Sequence, residues 1–553
     1  LKNGSDYDAL YQSAKCRSEA DWLVGINATR AFTKKYNALL SIGRVQTPTL
    51  AIMTQRQKEI DAFVPKDYWE IKAQFEPPYQ GIWYDMDSKE TKIPTIERAT
   101  EIQDKTQGKP GFIKGIETEK KSVPPPNLYD LTELQRDANK KYGFSAKKTL
   151  DLAQDLYEKR KLITYPRTDS RHLSDDMIPK LPSIMKKAGV GPYAPYAAYT
   201  LSLPKLPITG RIVDNAKVTD HHAIIPSEAN VNLNVLTQDE ALVYDLIVRR
   251  FFSVFYPNYI YNVTKMYTDV QGEIFLSKGK VITQIGWMEL YPSKKDDKPD
   301  KADKSDKSDD EATLPDLKEG DQVLCVSAEI ASKKTTPPSP YTEATLLSAM
   351  ENAGRFVESE ELKEQLKESG LGTPATRAAT IERLLAVGYI ERKGKSLIPT
   401  QKGMLLIDVV PQELKSPETT GKWEKGLSSI SKSKMDPARF MASIFRFVNF
   451  LVDQAKNTQA VAVFPTENRK FGNAAPAQPA ATATTGKAAT GKTVAGKAAT
   501  GKAAAGKAAT GKAASTAKAA KASAAGNGPN AVGPAAPKKA PAKPRTKKKD
   551  SNS

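Results

Sequence analysis

The sequence predicts a multidomain α+β protein with helical domains, one of them winged-helix-like, a β-rich region, and a disordered basic tail. Three observations predict it. The chain has 553 residues, far more than one small core needs, so about two to four domains are expected. Blocks of helical hydrophobic period alternate with blocks of strand period. The last 80 residues differ in composition from everything before them.

Residues 1–64 read as the helical part of a base domain. Within them Thr47-Pro48 looks like an N-cap followed by proline at the first helical position, and Leu50, Met53, Ile60 and Phe63 recur at helical spacing. From Tyr68 the period changes, and residues 65–123 carry strand candidates at 68–75, 81–84 and 112–118. Pro124-Pro125-Pro126 is a stiff connector into a helical domain, 124–220, with helices over 132–139 and 145–159. Residues 221–330 read as a second part of the β region, after a helix at 238–252 and with a charged loop at 293–310. The β stretches on either side of the helices are therefore expected to form one domain with the helices inserted in it. Residues 331–460 form a further base domain. There a helix from Glu343, a charged helix near 360–368, a helix opened by Thr373-Pro374 and a hairpin at 389–398 make a winged-helix pattern. The pattern alone leaves a small packing domain equally open.

The tail, 474–553, holds fourteen lysines and one arginine against a single acid, Asp550. Its net charge of +14 leaves only +5 for the residues before it, out of +19 overall. No apolar face accompanies this charge, so nucleic acid is the expected partner and membrane is not. Cys16 and Cys325 are too few for a zinc ribbon or a disulfide scaffold and read as buried thiols. A chain that begins at Leu1 rather than Met reads as a fragment or a processed form. Gly486 to Thr493 satisfies the Walker A pattern, but Gly-Lys recurs at 486, 491, 496, 501, 506 and 511 with mostly Ala and Thr between. A phosphate loop needs a buried strand before it and a helix after it, and this repeat supplies neither. It reads as a lysine-spaced arm for nucleic-acid backbone.

Two segments could carry reaction chemistry. His221 and His222 are adjacent, with no cysteine nearby to complete a metal site, which leaves structural, acid–base and phosphate-contact readings open. Tyr165 has Arg167 two residues on, within Leu162 to Ser170. A tyrosine attacking a phosphodiester needs its phenolate stabilised and the growing charge on phosphorus neutralised, and an arginine can serve both needs.

Five segments then resemble signatures of one family in that family's order: Ser41 to Leu50; Pro124-Pro125-Pro126 with Leu131 to Gln135; Ile163 to Ser170; Asp220 to Pro226; and Gly372 to Arg377. They resemble the bacterial type IA DNA topoisomerases, most closely the topoisomerase III branch. The resemblance implies a toroidal body whose β region is a gate arch. It implies ATP-independent breakage, strand passage and rejoining of single-stranded DNA, which relaxes or decatenates DNA. By the same resemblance Tyr165 is the nucleophile that forms a 5′-phosphotyrosine, Arg167 neutralises the scissile phosphate, and His221 assists proton transfer or phosphate contact. Arg44, Gln46, Thr168, Asp169, Thr376 and Arg377 are implied as DNA contacts. A monomer in the bacterial cytoplasm, associated with the nucleoid, is expected, acting on single-stranded and on negatively supercoiled or catenated DNA without ATP or zinc.

The sequence departs from the family at its start, where the acidic Toprim domain that holds magnesium is expected and not found. Magnesium would therefore come through a missing Toprim domain, and no metal ligands are assigned in this chain. An alternative is a Toprim-less fragment that only binds single-stranded DNA. A transcription factor built on the winged-helix pattern would explain residues 342–400 and leave the other signatures unaccounted for. Deleting residues 474–553 is expected to weaken oligonucleotide binding severalfold at low salt and to flatten the dependence of affinity on salt. An unchanged salt slope in a binding titration would contradict the role given to the tail.

Overall fold

The computed structural model describes residues 3–218, 220–291, 314–459 and 462–465, all within one compact unit spanning Leu1–Arg469. The charged loop at 293–310 and the tail lie outside the described residues. The described apolar side chains gather into three large cores.

The chain opens with α1 (Asp8–Tyr36), whose buried residues Cys16, Ala20, Val24, Ala28 and Phe32 fall at four-residue spacing on one face. Asn37 closes it in the left-handed conformation at φ 48°. Helix α2 (Gln46–Asp61) begins earlier than the sequence suggests: Val45 is its N-cap, so Thr47 and Pro48 lie in its first turn. The Thr47 hydroxyl instead accepts from the Gly43 N–H at 3.2 Å, which ties the loop before the helix to its first turn.

Strands β1 (Asp67–Glu76), β2 (Tyr79–Trp83) and β3 (Pro110–Val123), with α3 (Ile96–Thr106) between the last two, precede the helical segment. That segment contains α4 (Leu131–Tyr142), α5 (Ala146–Glu158), α6 (Leu181–Ala188), α7 (Ala194–Ser202) and α8 (Gln238–Ser253). Strands β4 (Tyr259–Val270), β5 (Glu273–Gln284) and β6 (Gln322–Lys334) follow it. The strands on both sides close into one barrel in the order β1-β2-β5-β4-β3-β6. Alternation drives this: Ile71, Ala73 and Phe75 point inward while Lys72, Gln74 and Glu76 are exposed. The expected toroidal gate arch is therefore corrected. Each strand has a neighbour on both sides, because β1 pairs with β6 from Asp67 to Glu76, so the sheet closes on its own interior and leaves no open edge to form an arch.

Helices α4, α5 and α8 build a separate core that includes Leu134, Ala153, Ile247, Phe251 and Phe252. Asp130 caps α4 by accepting from the Glu133 N–H at 2.6 Å, and Ser145 caps α5 by accepting from the Lys148 N–H at 3.0 Å. A capping box between Thr237 and Glu240 opens α8, and Arg160 grips the same Glu240 with two hydrogen bonds of 3.0 Å. Residues 223–256, grouped with the β region in the sequence, contribute Ala223 to Tyr256 to this helical core.

The remaining described elements are β7 (Tyr341–Thr342), α9 (Glu343–Glu351), α10 (Glu360–Ser369), α11 (Pro374–Ala386), β8 (Ile390–Lys393), β9 (Ser396–Pro399), α12 (Gln401–Val409), α13 (Gln412–Lys415), α14 (Pro417–Ser431) and α15 (Pro437–Asn457). Three short strands pair in the order β7-β9-β8 beside α9 and α11. Helices α14 and α15 pack against α1, so residues from both ends of the described chain share one core. Both cysteines are free and buried, and no helix among the described residues is long and apolar enough to cross a membrane.

Phe251 is fully buried in the helical core. Phe251→Ala is expected to cost about 3–5 kcal/mol in a denaturant titration; a loss below about 1 kcal/mol would show that this core is not packed as described.

Candidate functional site

The site is assembled from two extended segments far apart in sequence. Residues 162–170 follow α5, and residues 220–227 precede α8. The Thr164 N–H donates to the Ile225 carbonyl at 2.9 Å, and the Ser227 N–H to the Leu162 carbonyl at 2.9 Å. Two threonine side chains complete the lacing. The Thr164 hydroxyl donates to the Ala223 carbonyl at 3.0 Å and accepts from the Ile225 N–H at 3.0 Å. The Thr168 hydroxyl donates to the His221 carbonyl at 2.8 Å and accepts from the Ser170 N–H at 3.0 Å. Thr168 is buried and joins backbones here, so its side chain is a brace rather than an exposed contact.

This lacing brings Tyr165 and His221 together. Their ring centroids are 4.3 Å apart with planes tilted by 42°. On another side Tyr157 of α5 meets Tyr165 edge-on at 5.4 Å. Arg167 lies two residues beyond Tyr165, past the bend at Pro166. Its Nε donates to Gln154 Oε1 at 3.3 Å, and its side chain is exposed. Gln154 and Tyr157 sit three residues apart on one face of α5 and support Arg167 and Tyr165 respectively. The sequence reading missed both, although their spacing immediately before the Tyr165 segment is a helical signal.

The second group of expected residues reaches this place through α4. The Leu131 N–H donates to the Thr168 carbonyl at 3.1 Å. Next to it, the Thr132 hydroxyl accepts from Arg377 at 2.8 Å, and Arg377 Nε donates to the Gly372 carbonyl at 3.1 Å. Both acceptors are neutral, and Arg377 is buried. Burial pulls its guanidinium below its ordinary value, with Glu351, Asp130 and Asp169 opposing and Arg171 reinforcing. Gly370 and Gly372 hold the turn before α11 at φ 61° and 77°. A Cβ on Gly370 would come within 2.9 Å of an Arg377 nitrogen, so the glycine leaves room for that guanidinium. Thr376 is exposed on the first turn of α11, and Asp169 is exposed beside the laced segment.

A junction the sequence did not reveal lies alongside. Arg171 Nε donates to Asp130 at 2.5 Å and its NH2 to Glu351 at 3.0 Å, joining the helical core to α9. Arg44 and Gln46, implied as DNA contacts by the resemblance, are engaged within the protein. The Arg44 side chain is only 7% exposed, paired with Asp21 at 2.7 Å and Glu424 at 2.9 Å, and lies 5.2 Å from the Trp423 ring. Gln46 donates to Ser41 Oγ at 3.0 Å, and Arg383 donates to the same hydroxyl at 3.3 Å. Both residues organise the loop before α2.

The sequence model of the DNA topoisomerase family matches residues 5–442, a stretch that contains both laced segments, the Gly372 turn and the Arg44 loop. The chain belongs to the DNA topoisomerase family. It is 42% identical over 461 residues to DNA topoisomerase 3 of Bacillus licheniformis, covering 83% of this chain and 62% of that protein. It is 43% identical over 463 residues to DNA topoisomerase 3 of Bacillus subtilis, with the same coverage. The chain thus spans 62% of the length of these topoisomerase relatives. Its fold matches full-length topoisomerase I from Thermotoga maritima at a TM-score of 0.63 and 24% identity, over 83% of this chain and 71% of that one.

The magnesium expected from the family finds no set of holders here. Among the described residues no group of three or more His, Cys, Asp and Glu side chains converges as ligands could. Aspartates and glutamates near the site are drawn into ion pairs instead, as Asp130 and Glu351 are with Arg171.

The Arg44 cluster gives a pH signature. Burial raises the Glu424 carboxyl, but Arg17 and Arg44 outweigh that effect and hold it below its ordinary value of 4.5. A depressed folded value stabilises the protein fully above the unfolded value and ceases to do so as pH falls through the folded one. Thermal melts are therefore expected to fall more steeply below about pH 4.5 in the parent than in Glu424→Gln; parallel acid limbs would contradict the pairing.

Proposed function

We propose that this chain carries the strand-cleaving half of a type IA DNA topoisomerase active site, with Tyr165 as the nucleophile. The observation that carries this reading is the placement of Tyr165 against His221, with Arg167 exposed two residues on. The Tyr165 oxygen attacks the phosphorus of a single-stranded phosphodiester. A bond forms from that oxygen to the 5′ phosphate, and the bond to the departing 3′ oxygen breaks. The phenol proton must leave and the departing oxygen must gain one; the His221 imidazole, in ring contact with Tyr165, is the nearest group suited to handle them. Arg167, exposed and hydrogen-bonded among the described residues to neutral Gln154, can meet the phosphate and offset charge as it grows. Thr376 and Asp169, exposed near the buried Arg377, line the route of the strand beyond the laced segment.

The phosphotyrosine conserves the energy of the broken phosphodiester, so rejoining by attack of the 3′ hydroxyl needs no ATP. Between the two steps another strand passes, which relaxes or decatenates DNA. Magnesium held by a Toprim domain belongs to the proposal as a component to be supplied to these residues, in a monomeric cytoplasmic enzyme that uses neither ATP nor zinc. A second reading has a specific observation in its favour: among the described residues no group of His, Cys, Asp and Glu side chains converges as metal ligands could. On that reading this chain captures single-stranded DNA without cutting it.

Incubation with a single-stranded oligonucleotide, magnesium and the Toprim domain of a topoisomerase 3 relative, followed by denaturant, separates the two. The enzyme reading predicts a covalent DNA–protein adduct that is absent in Tyr165→Phe and reduced about a hundredfold or more in Arg167→Ala. Binding of the oligonucleotide with no adduct in the parent chain favours the capture reading.

A further inference from the structure

The outer face of the ribbon formed by β3, β4 and β5 carries a stripe of tyrosines and lysines that the Tyr165 site does not use. Along β4, Tyr259, Tyr261, Lys265 and Tyr267 are separated by even numbers of residues, so they leave the strand on one side. Met266 and Thr268 point the other way, into the barrel. The register places further residues on the outer face: Lys121 opposite Tyr261, Lys280 opposite Val263, and Lys278 opposite Lys265. Tyr84 extends the stripe, with its ring 6.0 Å from that of Tyr267.

Charge and ring are interleaved. Tyr259 and Tyr261 stand 4.9 Å apart, and the Lys280 ammonium lies 5.5 and 4.5 Å from their centroids. Two carboxylates share the face: Glu117 lies 3.9 Å from Lys265, and Glu119 lies 3.8 Å from Lys121. Lys278 and Lys280 make no ion pair among the described residues, so the face keeps two uncompensated cations beside its rings. The tyrosines on β4 are half-buried, which leaves ring surface accessible. From Tyr259 to Tyr267 the strand covers about 27 Å, enough for about four or more nucleotides.

We infer that this face binds single-stranded DNA, with bases stacking on the tyrosines and phosphates meeting Lys278 and Lys280. Rings spaced along a strand suit bases because every base has a stackable face, whereas a duplex keeps its bases stacked on each other. Lysines between the rings match a backbone whose charge repeats with the bases. A folded acidic protein would satisfy the lysines but leave flat aromatic surface without a matching partner. The inference does not depend on Tyr165 being a nucleophile, because it concerns binding on another set of residues.

The test uses the full chain and a short photoactivatable oligodeoxynucleotide carrying iodinated uracil. At about 0.2–0.3 M salt, where the lysine tail is weakened, cross-links are expected in the strands bearing Tyr84, Tyr261 or Tyr267. The pair Tyr259→Ser, Tyr261→Ser is expected to lose those cross-links and weaken binding at least about tenfold, while Tyr259→Phe, Tyr261→Phe retains both. Lys278→Ala with Lys280→Ala, at outer-face positions that leave the core untouched, is expected to weaken binding threefold or more and lower the salt slope. Cross-links confined to other segments would overturn the inference, as would lysine variants with unchanged affinity. Duplex DNA competing as well as single strand would overturn it too.

Discussion

The candidate site depends on the lacing of residues 162–170 to residues 220–227. Neither segment belongs to a sheet that would hold it, so its backbone groups must find partners by other means. Two backbone bonds between the segments and the side chains of Thr164 and Thr168 supply them, each threonine donating to a carbonyl of the other segment and accepting a backbone N–H. Each such hydrogen bond contributes only about 1 kcal/mol, but together they fix a register, and the register decides which ring faces Tyr165. Moving either segment by one residue would carry Tyr165 away from His221 and Arg167 away from Gln154. The helices between the two segments, with their apolar core, keep the ends of the lacing in place.

The helices around these segments are joined to α9 and α11 by polar groups. Glu343 accepts from the Ala146 N–H at 2.6 Å, Asn139 accepts from the Ala344 N–H at 3.0 Å, and Arg171 bridges Asp130 and Glu351. Arg377 reaches Thr132 across the same junction. Buried ion pairs and caps of this kind set position sharply, because an unpaired partner is costly, while they add little net stability compared with apolar packing. The junction therefore specifies where the laced segments stand relative to α9 and α11 without merging the two cores.

Much of this was legible in the sequence because it is local. Alternation marked β1, helical spacing marked the helices, and Thr373-Pro374 marked the start of α11. What was not legible is long-range. Nothing near Thr168 announces that its hydroxyl meets the carbonyl of His221, 53 residues on. Nothing near Arg44 announces its partners Asp21 and Glu424, which lie 23 and 380 residues away. The expectation of a gate arch failed for a related reason. Strand period tells which face is buried, but not that β1 and β6 pair and close the sheet.

The central claim is that Tyr165 is the residue that takes the DNA. It is tested most directly by trapping the chain on a single-stranded oligonucleotide with magnesium and the Toprim domain of a topoisomerase 3 relative, then sequencing the nucleotide-bearing peptide. The account predicts a nucleotide joined through its 5′ phosphate to Tyr165, within the peptide that contains Arg167. Attachment at another tyrosine, or through a 3′ phosphate, would contradict it.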